Sequence, residues 1–315
     1  MKKIIISENK LNTLLEYVGY ADSFEKLVDY IAQKFFSCVK QNVVENGIDL
    51  YDGFKIVRQQ YSEIMNSPNY KPLNTIRIES YETNDLITNK FRVKNILLYP
   101  SQDTCFNLSN SVYNQKTKMY NWAVININPL LCFEDDNSLR TLKRALQHEL
   151  THVYEYIQRY MQNGYEQTKN NFNNKYYNFH DRNNNIVAKL SYELNQSEIN
   201  AQISEMYREY IDMSKEIHFM NIEECYRMLQ FTNIGKRLKS LGELRNRFAN
   251  EVDLTYQVMM WLIKNPKHVD MFPKVRNNSP ITMQKRIVRA LDYKIKIINK
   301  KVEKALKKFL FDLNQ

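Results

Sequence analysis

A pair of histidines one helical turn apart is the clearest chemical feature of this 315-residue sequence. The pair occurs in His148-Glu149-Leu150-Thr151-His152, and the whole chain has only five histidines. Residues four apart on a helix project from the same face, so both imidazoles can reach one Zn²⁺ ion at about 2.0–2.1 Å. Glu149 is placed to accept a proton from a water whose pKa the ion lowers towards about 7. The segment therefore predicts a zinc site with a glutamate general base.

The histidines lie within a long helix predicted over residues 139–162. Apolar side chains recur in it at spacings of four and three, which predicts one buried stripe: Leu142, Leu146, Leu150, Val153 and Ile157. A strand predicted over 122–128 and closed by Pro129 precedes the helix. The alternative interpretation is a helix face on which two incidental histidines pair with Glu155 or with solvent.

The rest of the chain predicts an α+β protein that is mainly helical, with a small mixed sheet. Six glycines and seven prolines favour long helices and exclude Gly-rich phosphate-binding loops. Further helices are predicted over 23–44, 54–65, 195–212, 222–230, 236–249, 252–263 and 280–312. Further strands are predicted over 75–79 and 91–98, and the Asn- and Tyr-rich segment 163–185 predicts a long loop.

The strand followed by an HExxH helix resembles the zincin metallopeptidases, in which an edge strand lies antiparallel to the bound peptide. The resemblance covers about residues 71–215, with 122–128 in the place of that strand. The metzincin subgroup needs a glycine and a histidine where this chain has Glu155 and Gln158. The domain organisation that follows is a helical region 1–70, a zincin-like core 71–215 and a helical region 216–315.

The gluzincin subgroup takes its third ligand from a glutamate on a later helix, often followed three residues on by a small residue. Glu198 and Ala201 meet that pattern. The resemblance therefore implies a zinc-dependent peptidase acting on a peptide or protein, with Zn²⁺ held by His148, His152 and Glu198.

Three other side chains remain alternatives for the third ligand. Glu205 lies two turns beyond Glu198 and could instead hydrogen-bond to the ligands and orient them. Glu193 lies five residues before Glu198, and His180 would contribute a ligand from the predicted long loop. Tyr192 is the candidate for stabilising negative charge on the tetrahedral intermediate, with an ordinary packing role as the alternative.

The net charge of +10 is concentrated at the end of the chain. Residues 264–315 carry 14 Lys and Arg against four acids, so they account for all of it. This basic tail could bind nucleic acid, anionic lipid or an acidic partner, but a solvated helix face is the favoured interpretation. Its apolar residues follow a heptad spacing, which predicts docking onto the protein's own core in preference to a helical partner: Leu291, Ile295, Ile298, Val302, Ala305 and Phe309.

No apolar run is long enough for a secretory signal or a membrane span, so we expect a cytoplasmic protein. The four cysteines lack paired spacing and are expected to be reduced core residues. A composition rich in Lys, Asn, Ile and Tyr suggests an AT-rich genome. Together with the zincin-like core, it favours a peptidase encoded by a bacteriophage, which could be associated with the virion. The alternatives are a non-catalytic structural or assembly protein with a zincin-like core, and a DNA-associated protease similar to the SprT-like enzymes.

Overall fold

The computed structural model describes residues 21–107, 113–114, 116–117, 119–134, 139–163, 186–216, 221–264 and 278–314. The chain forms two compact units, Met1–Ile157 and Gln158–Gln315. The described residues are mainly helical with one small mixed sheet, so the coarse fold class is confirmed. The division into 1–70, 71–215 and 216–315 stays a prediction. Most of the predicted loop, together with His180, lies outside the described residues.

The helices of the first unit follow the predicted pattern closely. They are α1 (Ala21–Glu45), α2 (Phe54–Met65), the short α3 (Leu86–Phe91) and α4 (Arg140–Asn163), which carries the histidine pair. The predicted apolar face of α1 is buried at Leu27, Ile31 and Phe35. Gly47 has a φ of +79°, the left-handed conformation that commonly follows a helix end. Helix α3 was not predicted because six residues are too few to show a helical period.

The sheet of the first unit contains β1 (Ile76–Glu79), β2 (Val93–Pro100), β3 (Cys105–Asn107), β4 (Tyr113–Asn114) and β5 (Met119–Ile127). Strands β2 and β5 are parallel and form its centre, with Leu98 opposite Ile125. Strand β1 pairs antiparallel with β2, and β3 and β4 pair antiparallel with β5. The strand order β1-β2-β5-β3 places β1 and β3 at the edges.

The position of β5 corrects one expectation. The resemblance placed residues 122–128 at the sheet edge, but β5 is paired on both sides. The described strands at the edges are β1 and β3 instead. Strands β3 and β4 have three and two residues, which is too short for the alternation that identifies a strand in sequence.

Helix α4 contributes its predicted stripe to the core of the first unit. Leu142, Leu146, Leu150, Val153 and Ile157 are all buried. The histidines lie on the other side of the helix, because they follow a different set of i, i+4 positions. Burial of the stripe therefore fixes the rotation of α4 about its axis and with it the direction of the imidazoles.

The second unit is helical throughout its described residues. Its helices are α5 (Ile186–Leu194), α6 (Gln196–Ser214), α7 (Ile222–Leu229), α8 (Asn233–Asn250), α9 (Val252–Lys264) and α10 (Pro280–Leu313). Helix α10 packs against α6, α7, α8 and α9. Its heptad positions are buried except for the half-buried Ile295. The prediction that this stripe docks onto the protein's own core is confirmed.

The prediction that the four cysteines are reduced core residues is confirmed only in part. All four cysteines are free thiols, and Cys132 and Cys225 are buried as predicted, but Cys38 is half-buried and Cys105 is exposed. The core prediction is wrong for Cys105 because it lies on the edge strand β3.

Among the residues that the structure describes, no helix combines the length and apolarity needed to cross a membrane. The cytoplasmic location stays a prediction.

Candidate metal centre

Helix α4 brings the two histidines of the motif together. Their Nε2 atoms lie 3.1 Å apart, and the ring centroids are 4.8 Å apart with planes inclined at 77°. His152 and Glu149 are buried and His148 is half-buried. The hydroxyl of Thr151, between them in sequence, donates a 2.7 Å hydrogen bond to the backbone carbonyl of Gln147.

The separation of the two nitrogens can be compared with the geometry of a zinc site. Two nitrogen ligands on one tetrahedral Zn²⁺ at about 2.05 Å lie about 3.3 Å apart. The observed 3.1 Å between His148 and His152 is within a few tenths of an ångström of that value. Two imidazoles at this distance either share a proton in an N–H···N hydrogen bond or bind the same cation. The pair therefore fits a metal without rearrangement of α4.

Glu198 is the third ligand that the zincin resemblance implies. It lies in the first turn of α6, which Asn195 caps by accepting a 3.0 Å hydrogen bond from the backbone N–H of Ser197. A donor set of two imidazole nitrogens and one carboxylate oxygen is the set that Zn²⁺ accepts in many hydrolases.

The rival carboxylates have other partners. Glu193 accepts a 2.7 Å hydrogen bond from the hydroxyl of Ser240 and forms an ion pair with Arg237 at 3.7 Å. Glu205 accepts a 2.8 Å hydrogen bond from the side-chain amide of Asn233. Glu193 and Glu205 thus have partners on α8, and the role of Glu198 as the third ligand stays a prediction.

Tyr192, the candidate for stabilising the tetrahedral intermediate, is part of a packed polar cluster. The guanidinium carbon of Arg237 lies 4.3 Å from the centroid of its ring, and the side-chain amide of Gln202 donates a 3.5 Å hydrogen bond to its hydroxyl. These contacts fit the packing role that was the alternative. The catalytic role of Tyr192 stays a prediction.

Arg237 was not among the residues predicted from the sequence, although the sequence contains a signal for it. Helix α8 buries residues spaced three and four apart, and Arg237 occupies one place in that stripe: Ile234, Arg237, Leu241, Leu244 and Phe248. Since charged residues are almost never fully buried unless paired, an arginine in an apolar stripe indicates a buried polar cluster. The partners of Arg237 could not be predicted, because they come from α5 and α6.

Comparisons of the chain with protein-family models, with curated proteins and with solved structures found no match. The resemblance to zincins therefore depends on the HExxH motif and on the site residues themselves.

Proposed function

We propose that this chain is a zinc-dependent peptidase of gluzincin type. The observation that carries the proposal is the 3.1 Å separation of the Nε2 atoms of His148 and His152, which flank Glu149 in an HExxH helix. The position of Glu198 in the first turn of a later helix supports it, because the gluzincin pattern takes its third ligand from such a helix. His148, His152 and Glu198 would hold the metal.

The reaction would be hydrolysis of a peptide bond by water. When bound, Zn²⁺ would polarise the substrate carbonyl and lower the pKa of a coordinated water towards about 7. The carboxylate of Glu149 would accept a proton as the water oxygen forms a bond to the carbonyl carbon. The same carboxyl group would return the proton to the amine nitrogen as the C–N bond breaks. The two histidines of the motif are proposed ligands, so Glu149 is its remaining titratable residue and the one that would carry the proton.

The substrate would bind as an extended peptide along strand β3. Among the described strands, β3 lies at an edge of the sheet with β5 on its inner side, so an extended peptide would pair with its outer backbone groups. Added strands are held mainly by main-chain hydrogen bonds, which favours peptides of varied sequence. A peptide or protein is therefore the proposed substrate class.

Zinc content and one matched pair of variants test the proposal. We expect about one zinc ion per chain in protein purified without added metal. Glu149→Gln should keep that zinc but lower the rate of peptide hydrolysis by about 10²–10⁴-fold, because it removes the proton acceptor. Glu155→Gln is the control, since it makes the same change at an equally buried position six residues along α4. Equal activity of the two variants, or absence of zinc, would contradict the proposal.

A DNA-associated protease is the second candidate, and the exposed face of α10 favours it. Seven cationic side chains lie exposed along this helix: Lys285, Arg286, Arg289, Lys296, Lys300, Lys304 and Lys307. The two acids near them are paired, Asp292 with Arg245 and Glu303 with Lys307. A row of cations of this length suits the phosphates of a nucleic acid.

Charge reversal distinguishes this face from an ordinary solvated one. The double variant Lys296→Glu/Lys300→Glu should weaken binding to duplex DNA and reduce its dependence on salt concentration. The control is Lys236→Glu/Lys239→Glu, which makes the same charge change at exposed positions on α8. Loss of binding in both double variants to the same extent would indicate a general effect of net charge, and DNA recognition by α10 would then be rejected.

A further inference from the structure

The guanidinium of Arg237 is the centre of a buried cluster in the second unit. The residue is 3% exposed. Its Nη1 atom donates hydrogen bonds to the backbone carbonyls of Tyr192, at 2.7 Å, and Glu193, at 3.2 Å. Its Nε atom donates a 2.7 Å hydrogen bond to the side-chain oxygen of Gln202. One planar group on α8 thus binds two other helices at the same time.

These partners lie on both sides of the corner that presents Glu198. Tyr192 and Glu193 belong to the last turn of α5, and Gln202 lies one turn after Glu198 on α6. Asn195 forms the corner between the two helices. Arg237 binds Gln202, which lies four residues after Glu198 on α6. Because residues four apart share a helix face, Gln202 and Glu198 are neighbours on that face.

The surroundings of Arg237 restrict its movement. Its guanidinium stacks on the Tyr192 ring, with 4.3 Å between the guanidinium carbon and the ring centroid. Glu193 supplies the compensating charge at 3.7 Å and is itself held by the hydroxyl of Ser240, one turn further along α8. A stacked, multiply bonded arginine has a defined orientation that a lysine, with a flexible point charge, cannot reproduce.

We propose that Arg237 is a positioning residue of the metal centre, which orients Glu198 by fixing the corner between α5 and α6. The inference rests on the proposed function, in which Glu198 is a zinc ligand. Residues that orient metal ligands typically change metal affinity by about 10–100-fold when they are replaced. Arg237 needs no contact with the ion for this effect, because it acts on the backbone and the neighbouring side chain of the helix that carries the ligand.

Zinc affinity of the full chain, measured by competition with a chromophoric chelator, tests the proposal. We expect Arg237→Gln to weaken zinc binding by about 10–100-fold and Arg237→Lys to have an intermediate affinity. The control is Leu244→Ala, a core truncation on the same helix that touches no hydrogen bond of the cluster. It should lower thermal stability and leave zinc affinity unchanged. If Arg237→Gln does not fold, Gln202→Met removes the anchor on α6 and is expected to weaken zinc binding too.

A double-mutant cycle tests whether Arg237 acts through Glu198. Once Glu198→Ala has removed the ligand, adding Arg237→Gln should cause little further loss of zinc affinity. Fully additive losses would overturn the positioning role. Unchanged zinc affinity in Arg237→Gln, with a wild type that binds zinc, would reject this inference alone. Absence of zinc binding in the wild type would reject the proposed function and this inference together.

Discussion

The Nε2 atoms of His148 and His152 lie 3.1 Å apart on one face of α4, while the apolar stripe of the same helix is buried in the core. The two faces of α4 have different roles. Packing of the stripe fixes how α4 is rotated, and this rotation determines where both imidazoles point. A candidate site built on a helix in this way is held by the core and not by a loop, which favours defined ligand geometry.

Glu198 and Glu205 provide a matched pair for the third ligand. Both are carboxylates on α6, but Glu205 accepts a hydrogen bond from Asn233, whereas Glu198 is the ligand that the zincin resemblance implies. We expect Glu198→Gln to weaken zinc binding by about 100-fold or more, beyond the range typical of residues that only orient ligands. Glu205→Gln should change it far less. Chelator competition measures both, and the reverse order would exclude Glu198 as the ligand.

The ion pair between Lys34 and Glu82 predicts a pH-dependent contribution to stability. Burial raises the pKa of Glu82, but hydrogen bonds from Lys34 and Tyr30 and the charge of Lys34 lower it by more, so that the net shift is downward from 4.5. A lowered folded-state pKa means that the contribution is present above pH 4.5 and is lost as the pH falls through the folded-state value. We expect Glu82→Gln to reduce the free energy of unfolding by about 1 kcal/mol at pH 7. Urea denaturation should show this difference vanishing in acid, and a pH-independent difference would contradict the assignment.

Asp212 and Asp292 form ion pairs of similar length in different surroundings. Asp212 pairs with Arg208 at 3.2 Å, where both side chains are at most 6% exposed, and Asp292 pairs with Arg245 at 3.0 Å near the surface. Removing one partner of a buried pair leaves an uncompensated charge, so Asp212→Ala should cost about 3 kcal/mol of unfolding free energy. Asp292→Ala should cost less than about 1 kcal/mol. Similar losses in chemical denaturation would show that burial does not decide the effect.

We expect Gly→Ala substitution to have opposite effects on protein stability at the two glycines of α8. A Cβ at Gly235 would lie 1.8 Å from the backbone carbonyl oxygen of Leu229, whereas nothing lies within 4 Å of a Cβ at Gly242. Gly235→Ala should therefore destabilise the protein by about 1–3 kcal/mol, because the backbone at the end of α7 has to move. Gly242→Ala should stabilise it by up to about 1 kcal/mol through helix propensity. Thermal denaturation compares the variants, and a gain in stability at Gly235 would contradict the close approach.

Regular elements could be predicted from the sequence where a local signal was strong. The apolar period and the N-cap residues identified α1, α2, α4, α6 and α10 with ends within about two residues, and Asn195 and Ser279 are observed as caps. The strand core of the sheet was predicted as well. The short elements α3, α5, β3 and β4 were missed, because a few residues cannot display a period of 3.6 or 2.

The spacing of His148, Glu149 and His152 alone predicted a helix face with two imidazoles, since an i, i+4 relationship depends only on helix geometry. The resemblance favoured Glu198 as the third ligand but left Glu193, Glu205 and His180 as alternatives, because the partners that a side chain finds on other helices are not visible in the sequence. Tertiary structure decided that Ser240 binds Glu193 and Asn233 binds Glu205, and the role of Glu198 as a ligand stays a prediction. It also placed β3 at the sheet edge and Arg237 under the α5–α6 corner. These are contacts between residues far apart in the chain, which no local pattern encodes.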